Sequence, residues 1–200
     1  MKPRPTVIVL AAGRGNRLQD QLTQRLGGAS VLAMTLHHAL ASHLPVLVVT
    51  TPALSELVSQ HVATRDIVVM PAAASLGHAI AAGVSARSNA SGWLVLPADM
   101  PLVRPATLRA VAHELDHHPV AFAQHHGLRG HPVGFAAELY SELVMLTGDH
   151  APRRLVSRYP AQEVEVDDPG VLLDVDTEDR LAQVRGAHEA VSAAASGQPG

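Results

Sequence analysis

The sequence predicts an α/β protein of three layers, α/β/α and Rossmann-like, with helices on both faces of a mostly parallel mixed sheet. Three observations carry this. Continuous apolar and β-branched runs such as Thr6 to Ala12 recur without polar alternation, the mark of strands buried on both faces. Stretches of helical periodicity separate these runs, so each connection is a crossover and successive strands run parallel. The apolar fraction is 47% but aromatics are only 2%, so Ala, Val and Leu fill a core that suits helices packed closely on a sheet.

Taken in order, Thr6 to Ala12 is the first strand and ends in a glycine-bearing turn. From Ser30, a good N-cap, Leu32, Leu36, Ala39, Leu40 and His43 recur at helical spacing, and Pro45 closes that helix before a second buried strand, Val46 to Thr50. A helix over about 53–63, a strand Asp66 to Met70, a helix over about 76–87 and a strand Trp93 to Pro97 continue the alternation. Arg104-Pro105 opens a helix with proline at its first position and turns Leu108, Val111, Ala112 and Leu115 inward. The pattern then changes. Val120 to Gln124 and His131 to Ala136 read as short strands joined by the glycine-bearing segment His125 to Gly130, a β excursion that makes the sheet mixed. Helices over about 137–146 and 149–158, a strand around Glu163 to Val166, a short run Val171 to Val175 and a last helix from about Glu178 complete a domain expected to span 1–189. Residues 190–200 are rich in Ala, Ser and Gly and are expected to form a flexible tail.

Two hundred residues without cysteine suit one domain with no disulfide framework. Fifteen basic against eighteen acidic groups argue against a broad basic surface, so nucleic acid is not an expected partner. No run approaches the roughly 18 apolar residues of a spanning helix, and the N-terminal apolar stretch is too short and wrongly flanked for a secretory signal. A cytoplasmic protein with no membrane partner is expected. Fourteen of the fifteen basic groups are arginine, and the sole lysine is Lys2. Chemistry that needs an interior ammonium is therefore absent.

The strongest local signal is Leu10-Ala11-Ala12-Gly13-Arg14-Gly15-Asn16-Arg17, directly after the first strand. In an open α/β sheet, ligands bind at the carboxyl ends of strands, and a turn of small residues lets backbone N–H groups approach phosphate oxygens. Arg14 and Arg17 add charge that attracts a nucleoside triphosphate. It is neither a Walker loop nor a dinucleotide fingerprint, since no Gly-Lys-Ser/Thr follows and Leu18 stands where a third glycine belongs. A tight turn with solvated arginines is the plainer alternative. The second signal is Asp99, at the end of a buried strand and before Met100-Pro101. A carboxylate there shares an edge with the first loop, where Mg²⁺ would bridge it to substrate phosphates, although aspartate after a strand is as often a turn former. Among the thirteen histidines, the adjacent pairs His117-His118 and His125-His126 do not enforce convergence with His131, so no transition-metal site is expected.

Together these signals resemble the MobA-like nucleotidyltransferases, and within them the molybdenum cofactor cytidylyltransferases. That family opens with L-A-A-G-x-(S/G)-x-R-M-G, matched by Leu10 to Arg17 with Leu18 in place of Met. Its D-M-P-x-V-x-P-x-T-L is matched by Asp99 to Leu108, its G-H-P-V by Gly130-His131-Pro132-Val133, and its G-D by Gly148-Asp149. A terminal D-(I/V)-D-T-x-E-D finds Asp174 to Asp179 with the family's proline absent, and Ser75 to Gly83 is similar, less closely, to the family's G-M-x-x-S-L-x-x-G segment.

The resemblance implies a nucleotidyltransferase fold in which Leu10, Ala11, Ala12, Gly13, Arg14 and Gly15 wrap the triphosphate. It further implies that Ser75 and Gly77 contact the nucleotide, and that Arg17 and Asp99 are catalytic. Asp99 and Asp176 would hold Mg²⁺, and Gly130, His131 and Pro132 would meet the acceptor. The family transfers a nucleoside monophosphate to the phosphate of a pterin and releases pyrophosphate. Ala12, where guanylyl-transferring relatives commonly carry glycine, favours CTP over GTP. A molybdoenzyme or its chaperone is the protein partner so implied. Asp176-Thr177 also sits where a helix N-cap belongs, and Asp149 is read as a cap of the helix that follows it in preference to a direct catalytic role.

One departure stands out. The family's phosphate-contacting lysine falls on Gln21, with Gln19 where a glycine is usual and Arg25 nearby. Transfer to another small phosphorylated acceptor, or a non-catalytic nucleotide- or cofactor-binding relative, are the alternatives this leaves open.

Overall fold

Strand β1 (Thr6–Ala11) is buried along its whole length and runs parallel between β4 (Val46–Thr50) and β6 (Gly92–Pro97), with Ile8 abreast of Leu47 on one side and Val95 on the other. These elements belong to a computed structural model that describes residues 3–12 and 16–196. β5 (Ile67–Val69) extends the sheet beyond β4, and β8 (Leu128–Ala136), β7 (Val120–His125) and β9 (Ala161–Glu165) extend it beyond β6. The strand order is β5-β4-β1-β6-β8-β7-β9, and every neighbouring pair is parallel except those that β8 makes with β6 and β7. The sheet is thus mixed through one reversed strand.

Because side chains alternate across a strand, each face has its own core. Val7, Val9, Leu94 and Leu96 point to one side, where α2 (Val31–Ala41), α3 (Pro52–Ser59), α5 (Pro105–Glu114) and α8 (Glu178–Ser196) bring Leu36, Leu54, Leu108 and Leu181. Leu22, from α1 (Asn16–Thr23), joins the same cluster. Ile8, Leu10, Trp93 and Val95 point to the other, where α4 (Leu76–Ala86), α6 (Tyr140–Leu143) and α7 (Ala151–Val156) bring Ile80, Leu143 and Leu155. A small hairpin, β2 (Arg25–Leu26) with β3 (Ala29–Ser30), follows α1 and leads to Ser30, whose side chain caps α2 by accepting from the Ala33 N–H at 3.1 Å.

Two expectations are corrected, over 125–130 and over 137–146. The loop expected over His125 to Gly130 shrinks to His126 and Gly127, because both take positive φ (50° and 73°) and so close the hairpin directly, while the Glu165 carboxylate accepts both their N–H groups. The short run Val171 to Val175, given no element from the sequence, begins inside a turn. Pro169–Leu172 forms a 3₁₀ turn, begun by a proline that has no N–H to give a ladder and by Asp168 accepting from the Gly170 N–H. The helix expected over 137–146 divides into a 3₁₀ turn, Ala137–Leu139, and the short α6. The last helix, α8, runs from Glu178 through Ser196. Among the described residues no helix is long and apolar enough to cross a membrane.

Candidate active site

The carboxyl ends of β1 and β6 lie side by side. Past the last residues of β6, the Ala98 N–H donates to the Leu10 carbonyl at 3.0 Å, which brings Ala12 and Asp99 to one edge. They share a depression of about 380 Å³ with Leu18, Leu76 and Asp149. The Val175 N–H donates to the Asp99 carbonyl at 2.9 Å, so residues 174–176 are held against the same place. Burial first, and then the charge of Asp174 with a smaller share from Asp176, push the Asp99 carboxyl up to about 6, against the opposing pull of its own backbone N–H.

Those residues fit a divalent cation. Asp99 is a largely buried carboxylate that no basic side chain neutralises among the described residues, and it faces further negative charge. No group of three His, Asp or Glu converges as a complete metal cage among the described residues. A site of one or two carboxylates that leaves the remaining positions to water and phosphate suits Mg²⁺ or Mn²⁺ better than zinc.

The first loop itself, Gly13, Arg14 and Gly15, lies outside the described residues. Leu10 and Ala11 are buried in β1 and Arg17 lies in the first turn of α1. Gln21 is turned to a different depression, with Gln24, Thr177 and Arg185, where its side-chain amide donates to the Asp176 carbonyl at 2.6 Å. Thr177 rather than Asp176 caps α8, since its hydroxyl accepts from the Arg180 N–H at 3.2 Å.

A cleft of about 860 Å³ adjoins the Asp99 depression through the shared residues Leu10, Leu76, Pro97 and Asp149. Its floor is sheet, with Val95 of β6 and Val133 and Phe135 of β8, and its sides are Ile80 of α4 and Val156 of α7. Strand alternation places Arg129 and His131 on this face as well. Pro132 falls on the opposite face and is buried, so the predicted acceptor trio is divided. The His131–Pro132 bond is cis and sits where the β7–β8 register shifts. Burial, and then the Arg129 guanidinium, push the His131 imidazole down to about 4. Gly130 lines the cleft with its backbone, and a side chain there would collide with the Val171 carbonyl.

Ser75 and Gly77, expected on the nucleotide, fasten α4 to the loop before α7. The Ser75 hydroxyl is buried, accepts from the His78 N–H at 3.3 Å as N-cap, and accepts from the Gly148 N–H at 2.9 Å. The Gly77 N–H donates to the Gly148 carbonyl at 3.1 Å. Asp149 completes the arrangement by accepting from the Leu76 N–H at 3.0 Å, so it caps α4 and not the helix that follows it. Sequence reasoning missed Arg129 and Arg153 in the cleft wall. It also missed Asp168, which is 2% exposed and accepts from the Arg104 N–H at 2.8 Å, capping α5.

Residues 7–166 match the family described as the MobA-like NTP transferase domain. The crystal structure of Rv0371c from Mycobacterium tuberculosis H37Rv is similar at 27% identity and a TM-score of 0.80, over 93% of this chain and 99% of that one. A second structure of that protein, in complex with manganese, superposes with a TM-score of 0.78 at 27% identity, over 92% and 99% of the two chains. Molybdopterin-guanine dinucleotide biosynthesis protein A from Archaeoglobus fulgidus shares the fold at 17% identity and a TM-score of 0.70, over 91% and 97%. The bifunctional protein GlmU of Geobacter metallireducens is 30% identical over 111 residues, 52% of this chain, and the match spans only 23% of that longer protein. A family match across most of the chain, on a sheet whose Asp99 edge adjoins the cleft, places the protein in the MobA-like NTP transferase domain family of nucleotidyltransferases.

Proposed function

We propose that the protein transfers the CMP moiety of CTP to the phosphate of a phosphorylated pterin of the molybdenum cofactor, with release of pyrophosphate. The observation that carries this reading is Asp99, a carboxyl crowded by Asp174 and Asp176 beside the end of β1, next to a larger cleft with basic groups in its wall. One compartment suits a metal-bound triphosphate and the other suits a second phosphate. Mg²⁺ bound at Asp99 would neutralise and align phosphate oxygens.

The chain itself has little covalent chemistry to perform. A phosphate monoester is already anionic near neutral pH, so attack on the α-phosphorus needs alignment and relief of repulsion, not a general base. Asp99 would hold the metal, the loop after β1 would receive the triphosphate, and His131, held neutral, offers a hydrogen bond without a competing charge. Ala12 supports CTP over GTP, and a molybdoenzyme or its chaperone in the cytoplasm would receive the product. Pyrophosphate release from CTP with a molybdopterin acceptor tests the proposal, and no release with any nucleoside triphosphate or small phosphorylated acceptor overturns it.

A second reading, binding without turnover, is favoured by one observation. Position 21, where the resemblance expects lysine, holds a glutamine whose amide is committed to the Asp176 carbonyl. Tight CTP binding without release, with release appearing in Gln21→Lys, decides for it.

A further inference from the structure

We propose that Arg129 and Arg153 clamp the acceptor's phosphate, and that the acceptor is a phosphomonoester with an apolar or aromatic body. This rests on the transferase reading and names the substrate class of the same site.

The two arginines come from separate elements, β8 and the first turn of α7, and both line the cleft. Elsewhere, Arg87 pairs with Asp66 at 2.5 Å and Arg180 approaches Asp174 at 3.9 Å. Among the described residues Arg129 and Arg153 have no carboxylate within ion-pair distance, and the carboxylate on the cleft wall, Asp149, accepts from the α4 N-terminus. Arg129 is also held in place, its guanidinium 4.3 Å over the Phe122 ring. An arginine fixed on an aromatic face has surrendered side-chain freedom before any ligand arrives, which favours binding. Burial and the neighbouring Arg153 both disfavour the charge on Arg129. Two guanidiniums facing one cavity, with no carboxylate within ion-pair distance among the described residues, are relieved by a dianion, and guanidiniums match phosphate oxygens in pairs.

The rest of the cleft describes the body of the acceptor. Leu10, Ile80, Val95, Val133, Phe135 and Val156 offer no hydrogen bonds from their side chains. Along these walls, away from His131, Asp149 and His150, the hydroxyls of a sugar phosphate would lose water with little replacement, whereas an apolar or aromatic face would not. In the transfer step, an acceptor phosphate oxygen forms the bond to the α-phosphorus as the bond to the β-phosphate oxygen breaks. That electron pair leaves with pyrophosphate, and no proton moves. The two guanidiniums hold the oxygens that do not attack.

The test is titration calorimetry on the full chain without nucleotide, with phenyl phosphate, glucose 1-phosphate and inorganic phosphate as probes. Phenyl phosphate should bind tightest, and Arg129→Gln with Arg153→Gln should weaken it by about tenfold or more. The Kd for CTP with Mg²⁺ should stay within about twofold. Equal phenyl phosphate binding in the double variant overturns the clamp, as does a loss that falls on CTP instead. Glucose 1-phosphate binding as tightly as phenyl phosphate overturns the assignment of the acceptor's body. Failure of the transferase reading is distinguishable: wild-type protein that binds phenyl phosphate through these arginines but never releases pyrophosphate refutes the reaction alone.

Discussion

The side-chain amide of Gln21 donates to the backbone carbonyl of Asp176 at 2.6 Å. One residue earlier in that segment, the Val175 N–H donates to the Asp99 carbonyl. The stretch before α8 is therefore strapped at two points, to the helix that follows the first loop and to the end of β6. The strap is what brings Asp174 and Asp176 close enough to act on Asp99. Gln21→Ala should cost about 1 kcal/mol in denaturant unfolding, the usual net worth of one hydrogen bond. Unchanged stability would show that the bond does not hold the strap.

Asp99→Asn should separate stability from activity. The folded Asp99 carboxyl titrates near 6 against an ordinary 3.8, so its ionisation costs stability increasingly as pH rises through that window, and fully above it. Removing the charge should stabilise the metal-free protein at pH 7 by on the order of 1–3 kcal/mol. The same change should abolish the rise in melting temperature that Mg²⁺ gives the wild type, together with pyrophosphate release. A variant that keeps the Mg²⁺ shift would remove Asp99 from the metal site.

His131 has the opposite sign. Its imidazole titrates near 4 in the fold and near 6.5 when unfolded, so as pH falls below about 6.5 the unfolded chain takes up a proton that the folded protein refuses. Its stability contribution is present above that pH and is lost on acidification toward 4. Unfolding curves of His131→Gln and wild type should therefore converge as pH falls, by on the order of 2–3 kcal/mol between pH 7 and 4. Parallel curves would show an imidazole that titrates normally. The Asp99 and His131 windows overlap with opposite slopes, so the wild type alone shows little of either.

What the sequence made legible follows from where each interaction is written. Strands such as Val46–Thr50 announce themselves because burial on both faces demands a continuous apolar run, and Asp99 does so because it closely follows one. Asp168 was illegible. Its partners Arg104 and Thr107 stand some sixty residues earlier, and the Thr107 hydroxyl donates to it at 2.5 Å only once α5 and β9 pack together. Arg129 and Arg153 look like ordinary surface cations until β8 and α7 set them on one cleft. The Ser75 motif was visible, but its task was not, since Gly148 and Asp149 reach α4 only in the folded chain.

Gly77→Ala tests that last junction most sharply. A Cβ on Gly77 would sit 2.7 Å from the Gly148 carbonyl oxygen and 3.0 Å from the Thr147 backbone, atoms that cannot swing aside as a side chain can. Yet Gly77 lies within α4, where alanine is intrinsically the better helix former by about 1 kcal/mol. Propensity and packing therefore predict opposite signs. The contact should win, because relieving it means moving the loop that carries the Asp149 cap and the Gly148 N–H bonded to Ser75, so the variant should lose about 1–3 kcal/mol. Gly186→Ala is the control: it is also helical, in α8, but nothing lies within 4 Å of its added Cβ, and it should gain stability. A Gly77→Ala protein as stable as wild type would mean that the loop can withdraw from α4 at no cost, and the glycine would then need another explanation, such as close approach of the nucleotide.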